Sequence, residues 1–350
     1  MAMGSGLVAT LGTAGDEAVM GGKGARLCAL ARHGAIVPPG FVVTAEAFRG
    51  FMDGAGLWPV VRSAIAGLAA DDDAGLAAAA VRIAAAVTAA PMPAPLTAAI
   101  NDAYDRLCMT TGTLNLRVAV RSSAIGEDAR DASFAGQFES WLGIAGRDAV
   151  RAHVALVWAS LFGARALAYR LRQGRDVAET PMAVVVLELV EARSAGVAFS
   201  LDPLSGRRDR VVIEGNWGWG ESVVQGVVTP DRAEVDKADL RILSQSVAHK
   251  TVVSVFDAAA GRVVELPCPP LFRDAPVLSD DETVAIARAV LAVEDAEGGP
   301  VDVEWVIPRG RRAGEPPALV QVRPVTAAAP QAAAPVWSPL AYASKYGLGG

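Results

Sequence analysis

The chain has 350 residues, 52% of them apolar and 20% charged, with a net charge of −6 and a pI near 5.3. That length allows two or three lobes, each with its own core, and the acidity argues against nucleic acid as a main partner. Cys28, Cys108 and Cys268 stand alone with no Cys-x-x-Cys spacing, which argues against a disulfide framework or a structural zinc site.

No basic segment followed by a long apolar one opens the chain, and the most apolar region, Met182 to Leu201, is broken by Glu188, Glu191 and Arg193. No membrane span and a cytoplasmic location are therefore expected. Gly21-Gly22-Lys23-Gly24 directly precedes a helical pattern from Ala25 to Arg32, with Leu27, Leu30 and Ala31 on one side and Gly34 as the stop. A lysine in a glycine turn at a helix start can meet an anion with its ammonium and with the free amides of the first turn. This is not a Walker A loop, because Glu17 stands in place of the first glycine and Gly24 follows the lysine in place of Ser or Thr. A plain turn is the alternative. Pro38-Pro39-Gly40 then breaks the chain before a short strand, Phe41 to Val43, and Thr44 is placed to N-cap a helix carrying Phe48, Phe51 and Met52. From Val60 to Ile100 the sequence is alanine-rich and helical, interrupted by Asp71-Asp72-Asp73 and by Pro91, Pro93 and Pro95. Consecutive carboxylates point in different directions, so the aspartates read as a solvated turn and not as a metal site.

The apolar run Leu116 to Val120 delivers Arg121, Ser122 and Ser123 into a segment rich in Gly, Ser, Ala and Asp that reaches Gln137. An arginine at a strand end, followed by small residues that let backbone amides approach, suits an anion with several oxygens, and phosphate is the candidate. An ordinary strand with a solvated loop is the alternative. Asp148 to Arg172 reads as one long amphipathic helix through Val150, Val154, Val157, Leu161 and Ala164. Ala183 to Leu189 is expected to be a buried central strand, ending in Glu188-Leu189-Val190-Glu191, where the chain can cross between lobes. A hairpin pattern follows, Gly196 to Leu201 and Val211 to Glu214 about the turn Asp202 to Gly206. The glycines of Asn216-Trp217-Gly218-Trp219-Gly220-Glu221 suggest a backbone that comes close to another group.

Val301 to Ile307 alternates, so Asp302 and Glu304 share one face while Val301, Val303, Trp305 and Ile307 share the other. Leu319 to Arg323 alternates too, placing Gln321 and Arg323 together. If the two runs pair across the polar Pro308 to Pro317 loop, a carboxylate, an amide oxygen and a guanidinium converge. Such a set can hold a magnesium ion and the phosphates it bridges. The alternative is an exposed polar strand face.

Taken together, these segments resemble the nucleotide-binding N-terminal region of the phosphoenolpyruvate synthase and pyruvate phosphate dikinase family, an α+β fold of ATP-grasp type. The matching blocks are Gly-Gly-Lys-Gly-Ala at 21 to 25, Val-Pro-Pro-Gly-Phe-Val-Val-Thr at 37 to 44, Ala-Val-Arg-Ser-Ser-Ala at 119 to 124 and Asp-Ala-Ser-Phe-Ala-Gly-Gln at 131 to 137. They continue with Gly-Val-Ala-Phe-Ser-Leu-Asp-Pro at 196 to 203, Thr-Pro-Asp-Arg at 229 to 232, Asp-Val-Glu-Trp at 302 to 305 and Gln-Val-Arg-Pro-Val-Thr at 321 to 326. The resemblance implies that Lys23 and Arg121 bind phosphates of ATP, that Glu304 and Gln321 hold Mg2+, and that Arg323 reaches the terminal phosphates, with Lys23, Arg121 and Arg323 carrying the catalysis. It implies further that Glu188 to Val190 reads adenine through backbone groups, and that Glu214 and Glu221 contact the nucleotide. Two departures from the family pattern are Glu188, where Gln is common, and Ser200, where Thr is common. The implied division is an N-terminal lobe over 1–187, a second lobe with the magnesium site over 188–326, and a linker and tail over 327–350.

Enzymes of this family pass a phosphoryl group to a histidine in a Gly-rich Thr-Ser-His segment of a swivelling domain. The histidines here are His33, His153 and His249, and none sits in such a segment. After Thr326 come an Ala/Pro stretch and a short tail. The expectation is an ATP-binding subunit of a split dikinase-type phosphotransferase, similar to phenylphosphate synthase. It would give the β-phosphoryl of MgATP to a histidine on a partner subunit that also holds the substrate, a phenol or benzylic alcohol. Two alternatives are a fragment of a phosphoenolpyruvate synthase or antibiotic phosphotransferase, and a non-catalytic nucleotide-sensing module.

Overall fold

The computed structural model describes residues 6–13, 15–125, 140–174, 176, 181–224, 226, 228–257 and 262–325. The motif at 131 to 137 and the expected linker and tail lie outside the described residues. The described chain builds two antiparallel sheets. The first has five strands in the order β1 (Val8–Thr10), β2 (Gly40–Val43), β5 (Met182–Glu188), β3 (Val118–Ala124) and β4 (Ser140–Ile144). The second has six, in the order β13 (Ala318–Pro324), β12 (Val301–Pro308), β6 (Ala192–Phe199), β7 (Arg210–Trp217), β8 (Asp231–Asp236) and β9 (Ile242–Ser246). A hairpin of β10 (Val252–Asp257) and β11 (Arg262–Pro267) forms a separate two-stranded sheet, tied to the end of β7 by the Asn216 side chain donating to the Val252 carbonyl. Helices α1 (Glu17–Arg32), α2 (Ala45–Gly54), α3 (Leu57–Ile65), α4 (Asp73–Ala89), α5 (Ala94–Thr111), α6 (Arg147–Ser160) and α7 (Ala164–Gln173) belong to the first half. The short α8 (Glu221–Val224) and α9 (Pro270–Arg273) and the long α10 (Asp280–Glu297) belong to the second. Helices and antiparallel sheets of this kind make an α+β fold.

β5 is apolar and buried from Met182 to Leu187 because both of its faces are covered there. Met182, Val184 and Val186 enter a core with Phe48, Phe51, Trp158 and Phe162 from the helices of the first half. Ala183, Val185 and Leu187 face a second core, built from Leu27 and Leu30 of α1, Val290 and Val293 of α10, and Val303, Trp305 and Val322 of the six-stranded sheet. The expected central strand is borne out, and α1 lies between the two sheets. Thr44 caps α2 as expected, its Oγ1 accepting from the Ala47 N–H at 3.2 Å. Asp72 caps α4 by accepting from Gly75 N–H at 2.9 Å, which gives one of the three aspartates a structural use.

The single helix expected over 148 to 172 is two. α6 stops at Ser160 and α7 starts at Ala164, with Gly163 at its N-cap in an extended conformation. The apolar stripe runs on through Leu161, Phe162 and Leu167, all fully buried, so periodicity alone does not reveal the break. The stretch Arg147–Gln173 is long and apolar enough to be considered for a membrane crossing, and much of it is packed in the first core.

Candidate functional site

Lys23 arrives at the cleft through a kinked helix. α1 begins at Glu17, where Asp16 accepts from Ala18 N–H, and is broken at Gly21, whose φ of 68° and ψ of 172° are not helical. This corrects the expected start at Ala25: Gly-Gly-Lys-Gly is a kink inside the helix. Only glycine fits there, because a Cβ on Gly21 would stand 1.8 Å from the Ser123 carbonyl oxygen. The kink is tied to β3 by two hydrogen bonds, Gly24 N–H to Ser123 Oγ at 3.0 Å and Ser123 O–H to the Met20 carbonyl at 2.7 Å. Lys23, buried on the turn just past the kink, donates from Nζ to the Ser122 carbonyl at 3.2 Å. The lysine and the arginine strand are thus locked together before any ligand is considered.

The two late runs do pair as a hairpin, with Asp302 opposite Arg323 and Glu304 opposite Gln321 and a bulge between Glu304 and Trp305. Val301, Val303, Trp305 and Ile307 are fully buried in the second core, so the other parity of β12 is turned out of it. Arg121 reaches that face from the other sheet. Its Nη1 donates to the Val320 carbonyl at 3.0 Å, and its Nη2 donates to Gln321 Oε1 at 2.8 Å and to Glu304 Oε2 at 3.1 Å. Side chains 183 and 200 positions apart therefore meet in one cluster.

A cavity of about 370 Å³ opens on this cluster. Lys23, Arg121, Glu304, Gln321, Arg323, Glu188 and Val190 all line it. The remaining lining is mostly apolar, with Leu142, Leu187, Leu189, Val306 and Trp219. A slot of that size, apolar with a few converging polar groups, suits a small ligand that carries both a flat apolar part and negative charge. Three cations face two carboxylates among the lining residues, and burial pushes the Glu188 carboxyl above its usual range. The cavity is electropositive as a result.

Several backbone groups at the crossing are already engaged inside the protein. Glu188 N–H donates to the Pro39 carbonyl and Leu189 N–H to the Arg117 carbonyl, both at 2.9 Å, and Trp219 Nε1 donates to the Val190 carbonyl at 3.0 Å. The Val190 carbonyl retains a second lone pair, and Val190 lines the cavity. Glu214 is not among the lining residues: it lies on β7 and pairs with Arg232 Nη1 at 2.9 Å. Glu221 opens α8, and its neighbours Gly220 and Val224 line the cavity. Sequence reasoning passed over Trp219, Gly196 and Val320 as site residues. The Trp-Gly-Trp-Gly run was the available signal for the first, whereas Val320 acts through its carbonyl and leaves none.

None of the histidines lines this cavity. His33 caps α1 beside a second cavity of about 310 Å³, His153 sits in α6 with Nδ1 2.7 Å from the Ala149 carbonyl, and the ring of His249 meets Asp274 Oδ1 at 2.8 Å. Among the described residues no group of three His, Cys, Asp or Glu could hold a metal ion. The pair Glu304 and Gln321 nevertheless fits a magnesium site, because their two oxygens already converge on a stand-in cation, the Arg121 guanidinium. Phosphate oxygens and water would complete the shell of such an ion, as is usual for magnesium.

Comparison with known proteins identifies the family of the chain. The family described as pyruvate phosphate dikinase, AMP/ATP-binding domain, matches residues 17–340. A probable phosphoenolpyruvate synthase of Methanothermobacter thermautotrophicus is 41% identical over 311 residues, covering 89% of this chain and 44% of that protein. One of Methanocaldococcus jannaschii is 41% identical over 312 residues, 89% of this chain and 26% of that protein. The phosphoenolpyruvate synthase of Aeropyrum pernix is 37% identical over 336 residues, 88% of this chain and 40% of that protein. The chain therefore spans less than half the length of these relatives.

Proposed function

The chain belongs to the pyruvate phosphate dikinase AMP/ATP-binding domain family, with an α+β fold of ATP-grasp type, and from that premise we propose that it is the ATP-binding part of a dikinase-type phosphotransferase. Residues 1–187 and 188–326 act as two lobes that clamp the nucleotide. The observation that carries this reading is the meeting of Lys23 and Arg121 from one sheet's side with Glu304, Gln321 and Arg323 from the other in a single cavity.

In this reading Lys23, Arg121 and Arg323 hold the phosphates and offset the charge on the migrating group, which is catalysis by positioning and electrostatics. The apolar lining, with Trp219 and the Glu188 to Val190 crossing, takes the base. A magnesium ion at Glu304 and Gln321 would neutralise further phosphate charge. The acceptor of the β-phosphoryl is a histidine outside residues 1–350, because His33, His153 and His249, the three histidines of the sequence, lie away from the cavity. The nitrogen–phosphorus bond forms as AMP leaves, and one water is consumed in releasing the γ-phosphate. The histidine then passes the group to a small hydroxyl compound, a phenol or benzylic alcohol on a partner subunit. More than half of each relative lies outside the matched stretch, which favours a second arrangement, with the histidine on the same polypeptide.

The test is incubation of the chain with β-labelled ATP, alone and with candidate histidine-bearing polypeptides. Acid-labile label on the second polypeptide, with AMP release, is the expected result. Label on residues 1–350 themselves contradicts it.

A further inference from the structure

Glu304 Oε2, Gln321 Oε1 and the Val320 carbonyl oxygen are three acceptors from two neighbouring strands, and all three are aimed at one guanidinium. Arg121 and Glu304 have only 15% and 16% of their side chains exposed, so water supplies little competition for the contact. A hard divalent cation would need the oxygens of Glu304 and Gln321 for itself. It cannot share them with nitrogens at 3.1 and 2.8 Å, both for lack of room and because two cations repel. A phosphate, in contrast, offers the guanidinium a better partner, with two oxygens matched to its fork. Lys23 and Arg323 line the same cavity and draw the anion first.

We propose that Arg121 is a placeholder cation: in the empty cleft its guanidinium holds Glu304 and Gln321 in position for a metal, and it releases them only when nucleotide phosphates take it over. Metal and nucleotide then bind with positive coupling, and the free divalent ion is kept out of the empty cleft. This role is additional to phosphate binding and rests on the functional reading above. Arg121 acts here as a positioning residue for the metal oxygens, so its removal has a sign that loss of a phosphate contact alone does not predict: the metal should bind better.

The experiment uses the whole chain and Mn2+ as the probe, followed by its EPR signal in the absence of nucleotide. Arg121→Gln is expected to bind Mn2+ about tenfold more tightly than wild type, within the usual range of such couplings, and adding Glu304→Gln removes the gain. A wild-type measurement keeps the idea testable if the variant does not fold. Mn2+ alone should leave the thermal midpoint unchanged, β,γ-imido-ATP alone should raise it, and the two together should raise it further. An Arg121→Gln chain with the wild-type circular dichroism spectrum and no gain in Mn2+ affinity overturns the proposal, as does a wild-type midpoint that Mn2+ alone raises as far as the pair does. A chain that never responds to the imido nucleotide overturns the functional reading itself.

Discussion

Arg232 on β8 is boxed by carboxylates from its own sheet and from the turn after β6: Glu214 at 2.9 Å, Glu234 at 3.3 Å and Asp202 at 3.4 Å. Arg121 on β3 finds its partners on the other sheet, one carboxylate and two uncharged oxygens. The first guanidinium is surrounded by three carboxylates, one of them shared with Arg210, and lines neither of the two cavities described above, so it is a structural tie across strands. The second is matched by a single negative charge and opens on a slot with two further cations. Equal residue types thus serve opposite ends, and the count of opposing charge distinguishes them. The same contrast explains why Glu214, expected to contact nucleotide, does not line the cavity: it is committed to Arg232.

The contrast can be broken most sharply at Arg323. Arg323→Ala should lower histidine phosphorylation by about 10³-fold, as for loss of a positioned transition-state donor, while the melting temperature stays at the wild-type value; full label transfer in that variant would remove Arg323 from the machinery. Next comes the pair itself. Arg121→Ala should weaken nucleotide binding about 10- to 100-fold in calorimetry, the equivalent of one or two charge-assisted hydrogen bonds. Arg232→Ala should leave that affinity unchanged and lower the urea-unfolding free energy by about 1–3 kcal/mol, because Glu214 and Asp202 lose their cation while Glu234 keeps Arg210.

Acid titration sharpens the comparison by sign. Burial alone would raise the Asp202 carboxyl, but hydrogen bonds from Ser205 and the Leu204 N–H, together with the Arg232 guanidinium, outweigh it and hold the group below its usual range. Its contribution is therefore fully present above the ordinary carboxylate pKa and disappears as pH falls through the depressed one. Glu188 behaves oppositely. Its carboxyl is raised by burial, so stability falls as pH climbs from the ordinary value to the raised one. Glu188→Gln should unfold at higher temperature than wild type at neutral pH, with the difference vanishing in acid. Equal midpoints at both pH values would count against a half-buried, uncompensated carboxylate.

The smallest effect is expected at Arg170. It is fully buried on α7, with one hydrogen bond to the Leu161 carbonyl and with Nε and Nη2 unpartnered, and burial pushes its pKa down to about 10. A buried charge so poorly matched contributes little net stability, so Arg170→Met should change the unfolding free energy by only about 1 kcal/mol or less. Trp158→Ala in the neighbouring core should cost about 3–5 kcal/mol.

Features set by local periodicity were legible in the sequence. Alternation in β12 and β13 announced the face of Asp302 and Glu304 and that of Gln321 and Arg323, because one side of a strand must be buried, whereas the register that joins them is seen only in the structure. The uniform apolarity of β5 announced a strand covered on both faces. What escaped depends on contacts far along the chain. The kink of α1 at Gly21 follows from the approach of Ser123, about a hundred residues on. The break between α6 and α7 hides under an unbroken apolar stripe. Motif resemblance named both guanidiniums of the cleft, but that Arg121 grips Glu304 and Gln321 is a matter of tertiary geometry that spacing does not encode.

The central claim is that nucleotide phosphates lie between the two sheets, against Lys23, Arg121 and Arg323. A crystal structure of the chain with magnesium and β,γ-imido-ATP tests it most directly. The account predicts phosphate density within hydrogen-bonding distance of those three cations, with the Arg121 guanidinium moved off Glu304. Nucleotide seated elsewhere, such as the second cavity beside His33 and Arg288, with Arg121 still on Glu304 and Gln321, would contradict it.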